Sequence, residues 1–342
     1  MSFKRLEADD FVISADSITA ALWSGNNPTL TQFFTSSIQA ASTSGNYYLS
    51  VYQTGSTLTG SEVQFDIAYG NKNGSGSVYF NAAVPGVSPT KTIYGQYRSL
   101  VLGDENASFV FGNVTASDFW ALSINRSRYK ESLFPGSLTL ELSGALGTIT
   151  LTDDSKLTST VTYKDAGRVF NLISGSAGTL SGGALNSSGW SAASGSYGWV
   201  LPDIGVILLN PDALSGSLAS GGIGLPVSRS LNIPGNNNAT LYKAISGSGA
   251  ATFTLNSLET ITADYIFVRP RSSEFNYSEN PSYISGSTGE VLYSSFVNNP
   301  QTYITTVGLY NDTNELLAVA KLSRPLLKDF TKEALVRVKL DF

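Results

Sequence analysis

The 342-residue sequence contains no histidine, no cysteine and one methionine, and only 14% of its residues are charged, against roughly 25% in an average domain. Without histidine or cysteine the chain cannot build a Ser-His-Asp or Cys-His catalytic pair, a zinc site of the usual nitrogen and sulfur type, an iron–sulfur ligand set or a disulfide. Any enzymatic chemistry would have to use carboxylates, hydroxyls, lysine or arginine. The absences therefore favour a non-enzymatic protein without a cofactor or metal.

Several targeting and ligand motifs are also missing. The first residues contain no apolar stretch typical of a secretion signal, and no run of 18 apolar residues predicts a membrane span. No phosphate-binding glycine loop or nucleophile elbow occurs. The net charge of −5 argues against a general nucleic-acid surface. Residues 321–342 are nevertheless basic, with six cations against three acids. We interpret them as the solvated face of a terminal hairpin, with contact to an acidic neighbour as the alternative.

Acidic residues occur as adjacent pairs at only three places, 9–10, 104–105 and 153–154. Thr, Ser or Gly flank the last two pairs, and such sequences are typical of turns and helix caps. We therefore interpret the pairs as solvated turns or caps. A carboxylate-based glycosidase is the weakest hypothesis, because no separate pair of acids stands out.

Alternating apolar and polar residues recur along the chain and predict half-buried strands. One clear run is residues 62–69, which would form a hairpin through a turn over 70–74 and a second strand over 78–80. The other is residues 303–310, which would pair with residues 316–322. Arg324-Pro325 is expected to end the latter strand, and residues 335–342 alternate again. The sequence thus predicts a mainly β protein with two or more antiparallel β-sandwich-like domains, long loops and one or two short helices.

One segment has helical spacing instead. Ile93, Tyr97, Leu100 and Val101 stand at i, i+4, i+7 and i+8 between Pro89 and a glycine, which predicts a helix over residues 90–102 that packs on a sheet. Residues 29–38 could form a second short helix.

Composition suggests three domains. Residues 1–142 would be an N-terminal β-rich domain, residues 143–250 a Gly/Ser-rich middle domain or insertion, and residues 251–342 a C-terminal antiparallel domain with an extended arm over 269–300.

Aromatic and arginine residues on irregular segments suggest contact surfaces, because both residue types are enriched in protein interfaces. The arm combines arginines with aromatic anchors, although packing of the arm on its own sheet is equally compatible with the pattern. Two tryptophans in the Gly/Ser-rich middle favour interface or inter-loop packing over ligand binding. The candidate subunit-interface residues are Arg269, Arg271, Phe275, Tyr277, Trp190, Trp199 and Arg324.

Stretches near both ends of the chain resemble virion structural proteins of contractile-tailed bacteriophages, particularly cyanophage types. They are residues 23–35 (WSGNNPTLTQFFT), 45–52 (GNYYLSVY), 274–281 (EFNYSENP), 299–311 (NPQTYITTVGLYN) and 315–325 (ELLAVAKLSRP). The resemblance extends over most of the chain and is weakest in the middle.

The resemblance implies an assembly role in the virion, as a tail or baseplate protein, and supplies no catalytic residues. Partners would be other virion proteins in a homo- or hetero-oligomer, with no direct nucleic-acid contact, and assembly would occur in the host cytoplasm. Two alternatives stay open: a neck or head decoration protein, and an exposed adhesin or fibre module that binds host glycans through the loops of Trp190 and Trp199.

Overall fold

A computed structural model describes residues 3–23, 34–35, 48–52, 62–74, 90–182, 185–229, 234–246 and 253–341. Among the described residues, strands are far more frequent than helices and pair antiparallel, so the predicted mainly β, antiparallel class is confirmed. The strands are β1(Phe11–Ala21), β2(Phe34–Thr35), β3(Tyr48–Tyr52), β4(Val63–Asn71), β5(Phe109–Phe111), β6(Val114–Ala116), β7(Asp118–Ile124), β8(Ser132–Leu133), β9(Thr139–Ser143), β10(Thr148–Asp153), β11(Thr162–Lys164), β12(Gly167–Ser176), β13(Thr179–Leu180), β14(Gly198–Leu201), β15(Val206–Leu209), β16(Phe253–Thr254), β17(Asn256–Val268), β18(Thr302–Tyr310), β19(Leu316–Lys328) and β20(Val336–Asp341). The α-helices are α1(Thr90–Leu102), α2(Pro211–Ser215), α3(Pro234–Ser246) and α4(Ser294–Asn298).

The chain divides into two compact units. Unit 1 comprises Met1–Ser17 and Thr260–Phe342, and unit 2 comprises Ile18–Glu259. The predicted division at residues 142 and 250 does not follow these units, because strands on both sides of residue 142 pair in one sheet of unit 2. Composition changes along the chain, but strand pairing joins segments that are distant in sequence.

Unit 2 is built on a large antiparallel sheet with the strand order β16-β9-β10-β12-β14-β15-β7-β4-β3-β2. Alternate residues of β7 point to opposite faces, as the two-residue period of a strand requires. Trp120 and Leu122 enter a large apolar core that α3 also joins. Phe119 and Ala121 enter a second core that includes residues of α1. Both faces of the sheet are therefore covered.

Unit 1 packs the hairpin β18–β19 against part of a smaller sheet in which β17 lies between β1 and β20. Val336 and Val338 of β20 and Ile266 of β17 form its buried core, and apolar residues of the hairpin are only partly buried around them. The alternation predicted over residues 335–342 is confirmed as far as Asp341, with Arg337 and Lys339 on the exposed face. This core is small for a unit of this length.

Helix α1 has the predicted bounds, but its buried face differs from the predicted one. Ile93, Tyr94 and Val101 are buried, whereas Leu100 is 51% exposed. At 100° per residue the centre of the buried face falls between Tyr94 and Tyr97, and Leu100 lies at its margin.

Strand β19 continues through Pro325, so the prediction that Arg324-Pro325 ends the strand is wrong. The register with β18 is irregular between Ile304 and Thr306, where residues 322–325 of β19 have no regular partners. A proline is tolerated at such a bulge, because the ladder there does not need its missing N–H.

Helix α3 was not predicted, because its polar residues interrupt any apolar stripe. Asn237 and Asn238 are buried in it, and the Asn237 side-chain amide exchanges two hydrogen bonds with the backbone of Ser228 at 2.9 and 3.0 Å. The possible helix over residues 29–38 falls mostly outside the described residues, and Phe34–Thr35 within it form β2. The predicted return strand at 78–80 also lies outside them.

Candidate interaction surfaces

The arm between β17 and β18 is fastened by a buried lysine at the end of β19. Lys328 has no exposed surface, and its Nζ donates hydrogen bonds to the Ser272 carbonyl at 2.9 Å, the Asn276 Oδ1 at 2.8 Å and the Asp329 carbonyl at 3.0 Å. The Thr302 hydroxyl adds a bond of 2.6 Å to the Phe275 carbonyl. These contacts fix an irregular segment that has no ladder of its own.

Both predicted arm arginines lie close to acidic residues of unit 1. Arg269 Nε is 3.5 Å from Asp10 Oδ1, and the arginine side chain remains largely exposed. The Arg271 N–H donates to the Glu274 carboxylate at 2.9 Å, and Lys4 Nζ lies 2.9 Å from the same carboxylate. The Arg271 N–H and Lys4 together hold the pKa of Glu274 below its usual value. Packing of the arm on its own unit, one of the two interpretations of the sequence, thus accounts for the contacts of Arg269 and Arg271 described above.

The middle of the arm carries four packed rings, here called the arm aromatic cluster: Tyr277, Tyr283, Tyr293 and Phe296. Tyr283 is buried and stacks on Phe296 with ring centroids 5.4 Å apart, and Tyr277 and Tyr293 meet these rings edge-on. Tyr277 is 53% exposed and Tyr293 is 56% exposed. The cluster therefore presents rigid, partly exposed rings, a combination common in interface anchors.

Phe275 and Arg324 differ in how accessible they are. Phe275 is half-buried and has a positive φ of 56°, which is unusual for a bulky side chain. Arg324 is exposed in the irregular part of β19. Of these two candidates, only Arg324 presents a fully accessible side chain.

The outward face of hairpin β18–β19 carries large apolar side chains among its polar ones, a feature that sequence alternation alone did not reveal. Tyr303, Tyr310, Leu317 and Val319 are all exposed there, while Val307 and other alternate residues face the core of unit 1. Polar residues were expected on this face. The strand sequences could have indicated this exposure, because their outward positions include large apolar side chains.

The two candidate tryptophans are not on a shared exposed loop. Trp199 is only 6% exposed and packs edge-on against Phe109 and Phe111, with centroids 5.8 and 5.4 Å away. Trp190 is partly buried against the larger core of unit 2. Trp199 belongs to strand β14 within the sheet, so its ring is not available to a ligand or a neighbouring subunit.

Several acidic side chains are buried and paired rather than solvated, which corrects the reading of the pair at 153–154. Both Asp153 oxygens accept the Gly136 N–H, at 2.8 and 2.9 Å. Burial raises the pKa of Asp154, while hydrogen bonds from Asn171 oppose the rise. Asp153 also accepts the Ser155 N–H, so the pair does lie at a turn, but its carboxylates are buried against other backbone segments and cap no helix.

A second buried group joins three elements of unit 2. Asp118 accepts hydrogen bonds from the Tyr69 hydroxyl and the Arg229 Nε, each at 2.8 Å, and Arg229 also reaches Asp212 at 2.6 Å. Burial, followed by the nearby Asp118 charge, raises the pKa of Tyr69. All four polar groups are satisfied by one another, an arrangement typical of a structural network.

A shallow, open groove of about 650 Å³ crosses β9, β10, β12 and β13. Hydroxyl groups of Thr139, Thr148, Ser174 and Thr179 line much of it, and Glu141 is the one ionisable residue on its described lining. A groove with a single carboxylate lacks the paired acids that glycoside hydrolysis uses.

Within the described ranges, no group of three or more acidic side chains is placed to hold a metal ion. No helix in the same part of the chain is long and apolar enough to cross a membrane.

The geometry thus points to surfaces of unit 1 and not to a pocket. No family model, curated protein or solved structure matches the chain significantly.

Proposed function

We propose that the protein is a non-enzymatic structural subunit of a larger particle and that unit 1 carries its main contact surface. The observation that carries the proposal is the distribution of exposed large apolar side chains: among the described residues, most of them lie in unit 1 although unit 2 is the longer part. They are Phe3, Phe11, Val12, Ile13, Tyr277, Leu292, Tyr293, Val297, Tyr303, Tyr310, Leu316, Leu317, Val319, Phe330 and Leu335.

Exposed apolar area of this density has a physical cost. Each square ångström of apolar surface that a partner removes from water stabilises the complex by about 25 cal/mol. Soluble monomers seldom expose large contiguous apolar patches. The low charge fraction of 14% adds little repulsion between copies or neighbours. A subunit whose surface is covered by neighbours in the assembled particle would account for both the exposed apolar side chains and the low charge fraction.

The particle we propose is a virion of a contractile-tailed bacteriophage, with the tail or baseplate as the position. Support comes from the sequence resemblance, whose C-terminal stretches include the arm, β18 and β19. Neck and head decoration positions are the alternatives within the same role. The proposed partners are other virion proteins, after assembly in the host cytoplasm.

Particle incorporation tests the proposal. A double substitution, Tyr277→Ala with Tyr293→Ala, removes exposed rings of the arm aromatic cluster, and we expect the variant to be depleted from purified particles or reconstituted tails. Tyr163→Ala, at an exposed ring of β11 in unit 2, is the matched control and should be incorporated normally. A wild-type chain that never sediments with particles would refute the proposal.

The glycan-binding alternative has less support, because Trp199 is buried and Trp190 is half-buried. A glycan array probed with the full chain and with Trp190→Ala distinguishes the two roles. Binding that disappears in the variant would favour the adhesin, whereas we expect no glycan signal from either protein.

A further inference from the structure

Among the described residues, the smaller sheet of unit 1 has two edges without a strand partner. Strand β17 lies in the centre, with β1 on one side and β20 on the other. Asp10 lies near Arg269 at one end of β1, and Leu22 N–H bonds to the Leu255 carbonyl beyond its other end, so β1 runs antiparallel to β17. Among the described residues no further strand pairs with the outer edge of β1 or of β20.

The outer edge of β1 lacks the usual protection. Natural edge strands carry lysine, proline or a bulge that prevents another strand from adding to the sheet. Residues 11–17 of β1 (FVISADS) contain no lysine or proline and a single charged residue, Asp16, while Phe11, Val12 and Ile13 are exposed, Ile13 by 74%. An edge of this composition is a template for strand addition.

The two edges also carry opposite charge. The segment of residues 7–17 contains Glu7, Asp9, Asp10 and Asp16 and no base. On β20, Arg337 and Lys339 are exposed and lie over the Tyr265 ring at 5.4 and 5.8 Å from its centroid. Lys339 Nζ also pairs with Asp341 Oδ1 of the same strand at 2.8 Å, so β20 keeps an excess of one positive charge. Two β1 edges placed together would set acid against acid, whereas β1 beside β20 sets the acidic segment against the more basic strand.

We propose that copies of this chain associate head to tail, with β1 of one copy adding to the β20 edge of the next. The inference deepens the proposed structural role by naming one neighbour, a second copy of the chain. Backbone hydrogen bonds and the exposed apolar residues of β1 supply the affinity, and the charges of the two edges select the pairing. Because the two contact surfaces differ, the product is a ring or an open row and not a two-fold dimer.

Two variants, each with one altered edge, test the pairing. Ile13→Lys places a base on the β1 edge, and Arg337→Glu with Lys339→Glu reverses the β20 edge. We expect the mass of the wild-type chain, measured by sedimentation, to rise over about a hundredfold range of concentration. Each variant alone should stay monomeric. An equimolar mixture of the two should form one-to-one complexes, because the β1 variant keeps an intact β20 edge and the β20 variant keeps an intact β1 edge.

Matched controls carry the same chemical changes in unit 2. Leu157→Lys is at an exposed apolar site, and Lys91→Glu with Lys164→Glu reverses two exposed bases. Both controls should associate as the wild type does. A monomeric wild-type chain overturns the proposal, and so does self-association of either edge variant, which would indicate contact between like edges.

Cross-linking gives a second measurement that does not depend on the charge variants. Because the chain has no cysteine, Ile13→Cys and Lys339→Cys can be placed in separately tagged copies. A disulfide between the two copies is expected, and Leu317→Cys in place of Ile13→Cys should give none. Absence of the first cross-link under oxidising conditions overturns the proposal. Neither negative result affects the particle-incorporation test, which reports contacts with any neighbour.

Discussion

At the scale of single residues, buried polar side chains hold the irregular segments of this protein in place. Asp153 binds the N–H of Gly136, where the backbone has a positive φ of 80°. Asp203 accepts the Arg168 N–H at 2.7 Å and also pairs with the Arg168 guanidinium. Asp153 thus supplies hydrogen bonds to loop backbone, and Asp203 ties the start of β12 to the turn after β14; loss of either carboxylate would leave polar groups unsatisfied.

Lys328 should be the most sensitive of these residues. Lys328→Ala removes all three hydrogen bonds that fasten the arm and leaves carbonyl groups buried without a donor. We expect a loss of about 2–4 kcal/mol in the free energy of unfolding of unit 1, measured by urea denaturation. Lys321→Ala, at an exposed site of the same strand, should change stability by less than about 0.5 kcal/mol. Equal effects from both variants would contradict this role.

Acid stability should depend in part on Asp203. Burial alone would raise its pKa, but hydrogen bonds from the Arg168 side chain and N–H lower it below 3.8 overall. The carboxylate therefore stabilises the fold above pH 3.8, and this contribution is lost as the pH falls through the lower folded pKa.

Asp203→Asn should accordingly destabilise the protein at about pH 7 and less so at about pH 3. Because Asp203 is partly exposed, the difference is discounted to less than about 1 kcal/mol. Urea denaturation at both pH values measures it. In an Arg168→Met background the same substitution should lose this pH dependence, and a difference that persists there would exclude the pair as its source.

At the scale of elements, contacts across the sheet decide which face of each element is buried. Residues 90–102 form α1 as predicted, but the sheet below it buries Tyr94 and leaves Leu100 exposed. Hairpin β18–β19 shows the same principle, because its inward apolar residues pack on the core of unit 1 while several large apolar residues of its outward face remain exposed.

Two neighbouring residues of α1 provide a direct comparison of the faces. Val101→Ala removes methyl groups from a site with no exposed surface and should cost about 1–3 kcal/mol. Leu100→Ala removes a larger side chain from a site that is 51% exposed, and we expect less than about 1 kcal/mol. Thermal and urea denaturation give both values. A larger loss of stability from Leu100→Ala than from Val101→Ala would instead support the buried helix face that the spacing predicts.

At the scale of the whole molecule, the two units have very different cores. Unit 2 contains two extensive apolar clusters on the faces of its large sheet. The core cluster described in unit 1 contains three buried apolar residues, surrounded by partly buried ones. Because stability scales with buried apolar area, unit 1 should be the weaker of the two in the free chain and should gain most from a partner.

Calorimetry should therefore show two unfolding transitions. Val338→Ala, in the core of unit 1, is expected to lower the midpoint temperature of the first transition only. Leu208→Ala, in unit 2, is expected to lower that of the second only. Each substitution should reduce the free energy of unfolding of its unit by about 1–4 kcal/mol. A single transition shifted by both substitutions would show that the units unfold together.

Much of this organisation is readable from the sequence. Alternation predicts β4, β18 and β20, and helical spacing predicts α1. Pro325 and Asn237 show where local rules fail: a proline lies within β19 at a bulge, and a buried asparagine lies in α3 because Ser228 satisfies its amide. Of the candidate contact residues, Tyr277 and Arg324 are exposed, whereas Trp199 is covered by rings from β5.

The sequence by itself determines the chemistry that is excluded and the antiparallel β class, because residue types and their period are local properties. The tertiary structure decides the rest: which strands share a sheet, which side chains are covered, and which edges are unpaired. These depend on contacts between distant segments, such as β17 with β1 and β20. For that reason the exposed edges of unit 1 and its apolar outer face become visible only in the folded chain.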